Sequence, residues 1–524
     1  MGKRMEMSEA LSLIKDNDGV AVSGFMLATV AREIMVRLGE QYLQTGSPKN
    51  LTLMQAAGMG NNKDQAIYEM SYEGLFKRYI TGHFANNSRM IELTNENKIE
   101  AYNFPQGVIA HMYRAAAAKK AGEITKIGLN TFCDPRLQGG KMNEVTKEDL
   151  VELLTIGGEE YLLYKTPKLD IGLIRGTTAD ELGNISMEEE SACIDALDVA
   201  LAVKAGGGKV IVQVKNYVAA GSIDRAKVVI PGNLVDAVVL CSDPVEYHRQ
   251  TPGSFYDPVL SGHYRRNDVG FGAIPLDERK IIARRAAMEL VPNSVVNLGI
   301  GIPEGVAAVA NEEGIGDQLI LTIESGLVGG VPTGGQNFGS AVNAWAALPM
   351  TSQFDYYNGG NLNVSYLGFA EVNEKGDVNV SRFGTRIAGC GGFVDISQST
   401  PNIVFCGTLT AGGFQMELRD GKVVIVQEGK RKKFKASIEQ VTFSSEFSLK
   451  MGQNVLFITE RCVFKLVQEG LKLIEVAPGI DIEADILPYL DFTPVMDGEI
   501  RQMDPRIFGE GLMGLKTMIY ERRQ

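Results

Sequence analysis

The sequence predicts an α/β fold repeated twice in one chain, and three observations carry that prediction. Short apolar runs that stop at glycine turns alternate with amphipathic stretches, the pattern of strands joined by helices in a parallel sheet. The order of these signals in the first half recurs in the second. One run, Leu319-Ile-Leu-Thr-Ile-Glu324-Ser-Gly-Leu-Val-Gly-Gly330, ends on a carboxylate among glycines, and its counterpart in the first half does not.

Taken in order, residues 7–17 read as a short helix with Ser8 as its cap. Gly19-Val-Ala-Val-Ser-Gly-Phe25 reads as a strand running into a turn. Val30 to Leu38 is an amphipathic helix, and Asn50-Leu-Thr-Leu-Met-Gln-Ala-Ala-Gly58 is a second strand. Gly82-His-Phe-Ala-Asn-Asn87 is a polar loop. Asn103-Phe-Pro-Gln-Gly107 is a turn that opens a helix from Val108 to Ala118. Gln106 therefore falls at a helix N-terminus, where unpaired N–H groups favour anions, and it either serves a site or caps its own helix. Arg136, in the loop Asp134-Pro-Arg-Leu-Gln-Gly-Gly140, is read as bracing an acid. Leu173 to Ser186 is a hairpin turning near Gly183-Asn184. Lys209–Val214 and Val235–Leu240 are strands. Residues 242–275 carry prolines and no sustained period, so the interdomain connection belongs there, with His248 and His263 expected at the surface.

A strong amphipathic helix from Leu276 opens the second half. Val295-Val-Asn-Leu-Gly-Ile-Gly301 then matches Val20-Ala-Val-Ser-Gly24, and Leu319–Glu324 matches Asn50–Gln55. Asn373–Val378 matches Asp180–Ile185, and Asn402–Cys406 matches Lys209–Gln213. The predicted domains are residues 1–260 and 276–524. They are not equivalent: the first copy carries about twice as much chain between its glycine turn and its hairpin glycine, and Gln55 stands where the second copy has Glu324. A scaffold with one acid and one neutral amide in matching places fits a single site. The basic run Lys430-Arg-Lys-Lys-Phe-Lys435 reads as a solvated hairpin.

Bulk composition narrows the function. The chain is 44% apolar and 22% charged, an ordinary globular balance, with net charge -12. That charge argues against a nucleic-acid binder and means that a polyanionic ligand needs local donors. No stretch reaches the ~18 apolar residues of a membrane span. The start lacks the apolar core of a secretion signal, so a cytoplasmic location is expected. The six cysteines, at 133, 193, 241, 390, 406 and 462, form no Cys-x-x-Cys and none joins a histidine at zinc spacing, so neither a metal site nor a disulfide framework is expected. Cys390 and Cys406 read as buried thiols.

Three chemistries compete for Glu324. Gly299-Ile-Gly-Ile-Pro-Glu-Gly305 after a strand has the look of a dinucleotide fingerprint, but the spacing is one residue too long. A paired α/β scaffold could also serve as a non-enzymatic sensor. The third reading makes Glu324 a nucleophile. A carboxylate has an unperturbed pKa of about 4.3, so it is charged at neutral pH and attacks without a general base. Its acyl product, a mixed anhydride, retains the transfer potential of a thioester. Bare N–H groups of Gly299 and Gly301, or of Gly389, Gly391 and Gly392, suit the developing oxyanion, with the Gln106 amide as a further donor.

Several motifs together resemble the family I CoA-transferases, in the fused single-chain form that acts on short-chain acids. They are Val-Asn-Leu-Gly299-Ile-Gly-Ile-Pro303, Glu324-Ser-Gly326 and Gly389-Cys-Gly-Gly-Phe393-Val-Asp395, with Tyr102-Asn-Phe-Pro-Gln-Gly107, Thr131-Phe-Cys-Asp-Pro-Arg136 and Ile458-Thr-Glu-Arg-Cys462. The resemblance spans residues 5–520. It implies two similar open α/β domains and ping-pong exchange of CoA between acyl-CoA and free acetate, propionate or butyrate. It also implies a glutamyl-CoA thioester on Glu324, with Gln106 assisting and coenzyme A as a substrate rather than a resident cofactor. A homo-oligomer, tetrameric in the family, is expected. The chain has Ile323-Glu324-Ser-Gly326 where two-subunit relatives have Ser-Glu-Asn-Gly, which leaves the acyl preference open. An acyl-CoA hydrolase on the same fold is the alternative.

Overall fold

Parallel strands flanked by helices form both halves of the chain, as the alternation of β-branched runs and amphipathic stretches requires. The computed structural model describes residues 2–267 and 269–521. In the first unit the strands are β1 (Gly19–Val22), β2 (Leu51–Gln55), β3 (Phe76–Thr81), β4 (Glu100–Asn103), β5 (Ile171–Asp180), β6 (Lys209–Val218) and β7 (Ala237–Leu240). They run in the order β4-β3-β2-β1-β5-β6-β7, every neighbouring pair parallel. The central strands β1, β2 and β5 are buried along their whole length, which is why they read as continuous apolar runs. Helices α1 (Arg32–Thr45) and α2 (Gln106–Ala117) belong to this unit.

The second unit contains helix α3 (Glu278–Ala287) and strands β8 (Ser294–Leu298), β9 (Leu319–Thr322), β10 (Val364–Gly368), β11 (Asn402–Cys406) and β12 (Asn454–Ile458). Their order is β9-β8-β10-β11-β12, again all parallel, and antiparallel strands follow β12. Asp277 caps α3 by accepting from the N–H groups of Arg279 and Lys280. The buried face of α3, with Ile281, Ile282 and Ala286, shares a core with Val296, Leu321, Tyr366 and Val404. Each large apolar side chain buried there stabilises by roughly 1.5–3 kcal/mol.

The two sheets repeat one another in order: β2-β1-β5-β6-β7 corresponds to β9-β8-β10-β11-β12. The pairing registers agree as well. Val20 lies opposite Leu53, and Asn297, the same distance before its glycine turn, lies opposite Thr322. Gln55 and Glu324 therefore stand two residues past equivalent positions. Even the hairpin turn is copied. Gly183 and Gly376 both have positive φ, at 83° and 91°. Asp180 Oδ1 accepts from Asn184 N–H at 2.9 Å, and Asn373 Oδ1 accepts from Asp377 N–H at 2.9 Å. The carboxamide of Asn184 bonds the Asp180 carboxylate at 3.0 Å, and that of Asn373 bonds the Asp377 carboxylate at 2.9 Å, with acid and amide exchanged.

The compact units do not follow the division at 260–276. The first comprises Met1–Asn267, Ile323–Asp355 and Phe383–Asp395, and the second Asp268–Thr322, Tyr356–Arg382 and Ile396–Gln524. Local readings also need correction. The first helix is only Met7–Leu11 and follows Glu6, without a side-chain cap from Ser8. His248 is buried, not superficial: the connector folds back so that His248 meets Gln213 at 3.2 Å and Glu190 at 3.5 Å, while His263 is exposed. In the basic run, Lys433 is buried with Nζ 3.8 Å above the Phe369 ring, and burial pushes its ammonium down to about 7. Arg136 does brace acids, Asp134 at 2.7 Å and Glu160 at 2.9 Å. Cys390 and Cys406 are buried free thiols, and burial raises both. Among the described residues no helix is long and apolar enough to cross a membrane, and no cluster of His, Cys, Asp and Glu could hold a metal.

Burial pushes the Asp195 carboxyl up to about 7, although the Ser23 hydroxyl donates to it at 2.7 Å. In the unfolded chain it ionises near 3.9. Between these values the unfolded state holds fewer protons, so this group's contribution to stability falls as pH rises from about 4 to 7 and is gone above. Asp195→Asn should remove that loss. Thermal unfolding across pH is expected to show the variant gaining about 2–4 kcal/mol on the wild type between pH 4 and pH 8.

Candidate active site

Glu324 is half-buried and follows β9 by two residues. The backbone after it is held in a tight turn: Gly326 N–H donates to Ile323 O at 3.0 Å, and Ile323 N–H to Leu327 O at 2.9 Å. Gly326 has φ 108°, and a Cβ there would lie 2.0 Å from Leu348 O, so only glycine fits. Ser325 Oγ donates to Gly339 O at 2.7 Å. The carboxylate-bearing residue is thus fixed on its C-terminal side by three contacts.

The glycine loop 389–392 meets Glu324 directly. A Cβ placed on Gly392 would stand 3.1 Å from Glu324 Cγ and 3.2 Å from Phe354 Cζ. The same Phe354 ring would stand 2.4 Å from a Cβ on Gly107, so the ring lies between α2 and the loop. Gly107 N–H, in the first turn of α2, donates to Asp395 Oδ2 at 3.1 Å, which places a carboxylate at a helix N-terminus.

The loop is tied to the carboxyl ends of β3 and β4. Asn103 is completely buried; its Nδ2 donates to Thr81 O at 2.8 Å and Gly82 O at 2.7 Å, and its Oδ1 accepts from Cys390 N–H at 2.9 Å. Gly391 N–H donates to Gly82 O at 2.7 Å, and Gln106 N–H to Gly391 O at 2.9 Å. His83 Nδ1 lies 2.5 Å from Ala388 O. Burial pushes His83 down to about 4, so it is neutral near pH 7. A carbonyl only accepts, so the proton sits on Nδ1.

Glu324, Gln106, Gly389, Gly391 and Gly392 therefore belong to one cluster within the first unit. Gln106 is buried and does not cap α2; its Nε2 points to Met350 Sδ at 3.6 Å. Gly299 and Gly301 lie in the second unit. Two expected oxyanion donors need correction: Gly299 N–H is bonded to Tyr366 O at 2.7 Å and Gly391 N–H to Gly82 O, so neither is left over for a substrate. Gly301, with φ 90°, has open space beside its Cα, and Gly392 is the loop glycine that meets Glu324. Sequence reasoning missed Asn103, His83, Phe354 and Asp395. Asn103 and Asp395 sit inside two quoted motifs, yet nothing local says that their side chains tie loops distant in sequence. The neutral counterpart Gln55 is fully buried and donates to Tyr79 Oη at 2.7 Å and Thr81 Oγ1 at 3.0 Å, a structural role that leaves no acid in the first copy.

The family description "Coenzyme A transferase" matches residues 4–240. The chain is 44% identical to a caffeate CoA-transferase of Acetobacterium woodii, over 99% of this chain and all of that one. It is also 44% identical to the acetate CoA-transferase YdiF of Escherichia coli K12, over 97% of this chain and 96% of that one. A solved acyl-CoA transferase, YdiF of Escherichia coli O157:H7 in a thioester complex with CoA, superposes with a TM-score of 0.91 at 43% identity, covering 98% of this chain and 97% of the other.

Removing the Asn103 carboxamide strands the buried Cys390 N–H, at a cost of about 1–3 kcal/mol if left unpaired, while Thr81 O and Gly82 O keep their bonds from Phe104 N–H and Gly391 N–H. Asn103→Ala is expected to lower the melting temperature and to speed amide exchange at residues 388–392 by at least tenfold. The His83 contact should persist from about pH 5 upward, with nitrogen NMR showing the Nδ1–H tautomer throughout.

Proposed function

We propose a mechanism on the premise that the chain belongs to the coenzyme A transferase family, as a fused single-chain family I member. Such an enzyme moves CoA between an acyl-CoA and a free carboxylate. Glu324 is the nucleophile in this reading, and the two halves, 1–260 and 276–524, are two copies of one domain. The observation that carries it is the carboxylate stem of Glu324 set against Gly392, in the one copy of the duplicated scaffold that keeps an acid.

The Glu324 carboxylate attacks the thioester carbonyl and expels CoA thiolate, giving an acyl-glutamyl anhydride. The thiolate attacks the glutamyl carbonyl, the free acid leaves, and CoA stays on Glu324 as a thioester. A second carboxylate attacks that thioester, and the two steps run in reverse. Every step exchanges one acyl–oxygen or acyl–sulfur bond for another, so none calls for a metal or a redox partner. Gly392 is the backbone donor assigned to the oxyanions, with Gln106 assisting. Water must be excluded, since hydrolysis of the anhydride or thioester would turn the enzyme into a thioesterase. The relative solved with CoA in thioester linkage supports this chemistry. Acetate, propionate and butyrate are the proposed acids, in a cytoplasmic homo-oligomer.

Mass spectrometry after exposure to acetyl-CoA alone should find CoA on the peptide holding Glu324, lost on adding acetate. Glu324→Ala should form no adduct. Glu324→Asp should lose at least a hundredfold in turnover, because about 1 Å of retraction spoils the attack geometry. Steady release of CoA without any acceptor would favour the hydrolase instead, and normal transfer by Glu324→Ala would end the proposal.

A further inference from the structure

Helix α2 carries an ion pair that the mechanism above does not use. Its His111 is buried, with Nε2 2.9 Å from the Asp355 carboxylate and 3.1 Å from Thr351 O. Both partners stand on helix α4 (Met350–Asn358), whose residues up to Asp355 belong to the first unit, as α2 does. Arg114, further along α2, bonds the second oxygen of the same carboxylate. The residue before Asp355 is Phe354, whose ring fills the space between Gly107 and Gly392. A Cβ on Gly392 would stand 3.2 Å from that ring and 3.1 Å from Glu324 Cγ, so the ring and the acid approach the same point. Gln106, at the start of α2, reaches Met350 Sδ at the start of α4. The helices are thus joined at Gln106–Met350 and again at His111–Asp355, with Phe354 held from the second joint.

Four carboxylates face the imidazole. Asp355 approaches from α4, Glu123 from the strand that follows α2, and Asp395 from the N-terminus of α2. Asp198 approaches from the helix Ala196–Ala205 and accepts from Thr351 Oγ1 at 2.8 Å. The other cations of the group are Arg114, half-buried, and Lys120, exposed. Burial works against a charge on His111, but Asp355, Glu123 and Asp395 outweigh it and hold the imidazole above its ordinary 6.5. The His111 bond in turn holds the Asp355 carboxyl down to about 2.

We propose that His111 is a positioning residue for the nucleophile: paired with Asp355 as an imidazolium, it seats Phe354 between Gly107 and Gly392 and so keeps the Glu324 stem in place for attack. The assignment rests on the reading of Glu324 as the acyl carrier. His111 acts on that carboxylate only through Asp355 and Phe354. A neutral imidazole could still donate to Asp355, but a bond between two charged groups is roughly twice as strong. Loss of the proton also leaves four acids facing two cations that water screens. Attack is therefore fast below the titration of His111 and slows as pH rises through it.

The test gives the full-length enzyme acetyl-CoA alone and follows the rate of CoA attachment to Glu324 by mass spectrometry from about pH 6 to pH 9. NMR reads the midpoint of His111 in the same protein, its signal identified by its loss in His111→Gln. The wild-type rate is expected to fall roughly tenfold or more, with its midpoint at that of His111. His111→Gln keeps a neutral donor near the place of Nε2, so it should show the low rate at every pH. Half-saturation by acetyl-CoA should stay within about twofold of wild type, because the loss lies in positioning and not in binding. A wild-type rate that is flat across the titration of His111 overturns the assignment, and this arm needs no folded variant. So does a fall that survives in His111→Gln, which would belong to another group such as Asp195, or a His111→Gln enzyme as fast as wild type. If the adduct forms at a rate indifferent to His111, only this assignment fails. If none forms at any pH, the nucleophile reading has failed and takes the assignment with it.

Discussion

The Asn103 carboxamide joins stretches of backbone that are far apart in sequence. It donates to Thr81 and Gly82 at the end of one strand and accepts from Cys390 in a loop almost three hundred residues away. With no water to share these groups, each buried donor and acceptor has to find its partner in the protein. An amide serves where a carboxylate would not, because the contact needs donation in one direction and acceptance in the other. His83 and Gln106 add their own bonds to Ala388 and Gly391, so the loop is held along its length. The position of Gly392 against Glu324 is a consequence of that docking.

The duplication explains why there is one acid. Both copies pair the same strand in the same register, and both turn their hairpins with an αL glycine and a side-chain-to-backbone bond. In the first copy the strand-end position holds an amide whose donors go to Tyr79 and Thr81 inside the sheet. A carboxylate could accept from those hydroxyls but would sit fully buried without a cation, which costs several kcal/mol. In the second copy the acid is half-buried and the glycines after it keep side chains away. Burial, not the strand itself, decides which copy can carry the charge.

The strands, the repeat and the acid were legible because apolar runs and glycine turns are local signals. Glu324, Gly392 and Gln106 fall in one cluster, while the N–H of Gly299 is already bonded within its own sheet. Hydrogen bonding of a backbone group depends on which strand lies beside it, and sequence does not print that. Lys433 and His248 were misread for a related reason. A basic run or a proline-rich connector looks solvated until the fold brings Phe369 or Glu190 against it. The segments 323–355 and 383–395 likewise belong to the first unit through contacts that no local pattern announces.

The glycines around Glu324 answer three separate demands. Gly389 has φ 80°, and a Cβ would meet Phe84 N at 2.9 Å and Gly82 O at 3.0 Å, so it is required by both conformation and backbone clearance. Gly391 has φ 53° and open space beside it, so conformation alone requires it. Gly392 has no left-handed φ; what requires it is the room it leaves for the Glu324 stem and the Phe354 ring. A side chain at the first would displace the loop, at the second would strain it, and at the third would push on the acid itself. The Glu324 carboxylate is thus held between a turn that only glycine can close and a loop that glycine brings near, which is the preorganisation that the proposed covalent carrier would require.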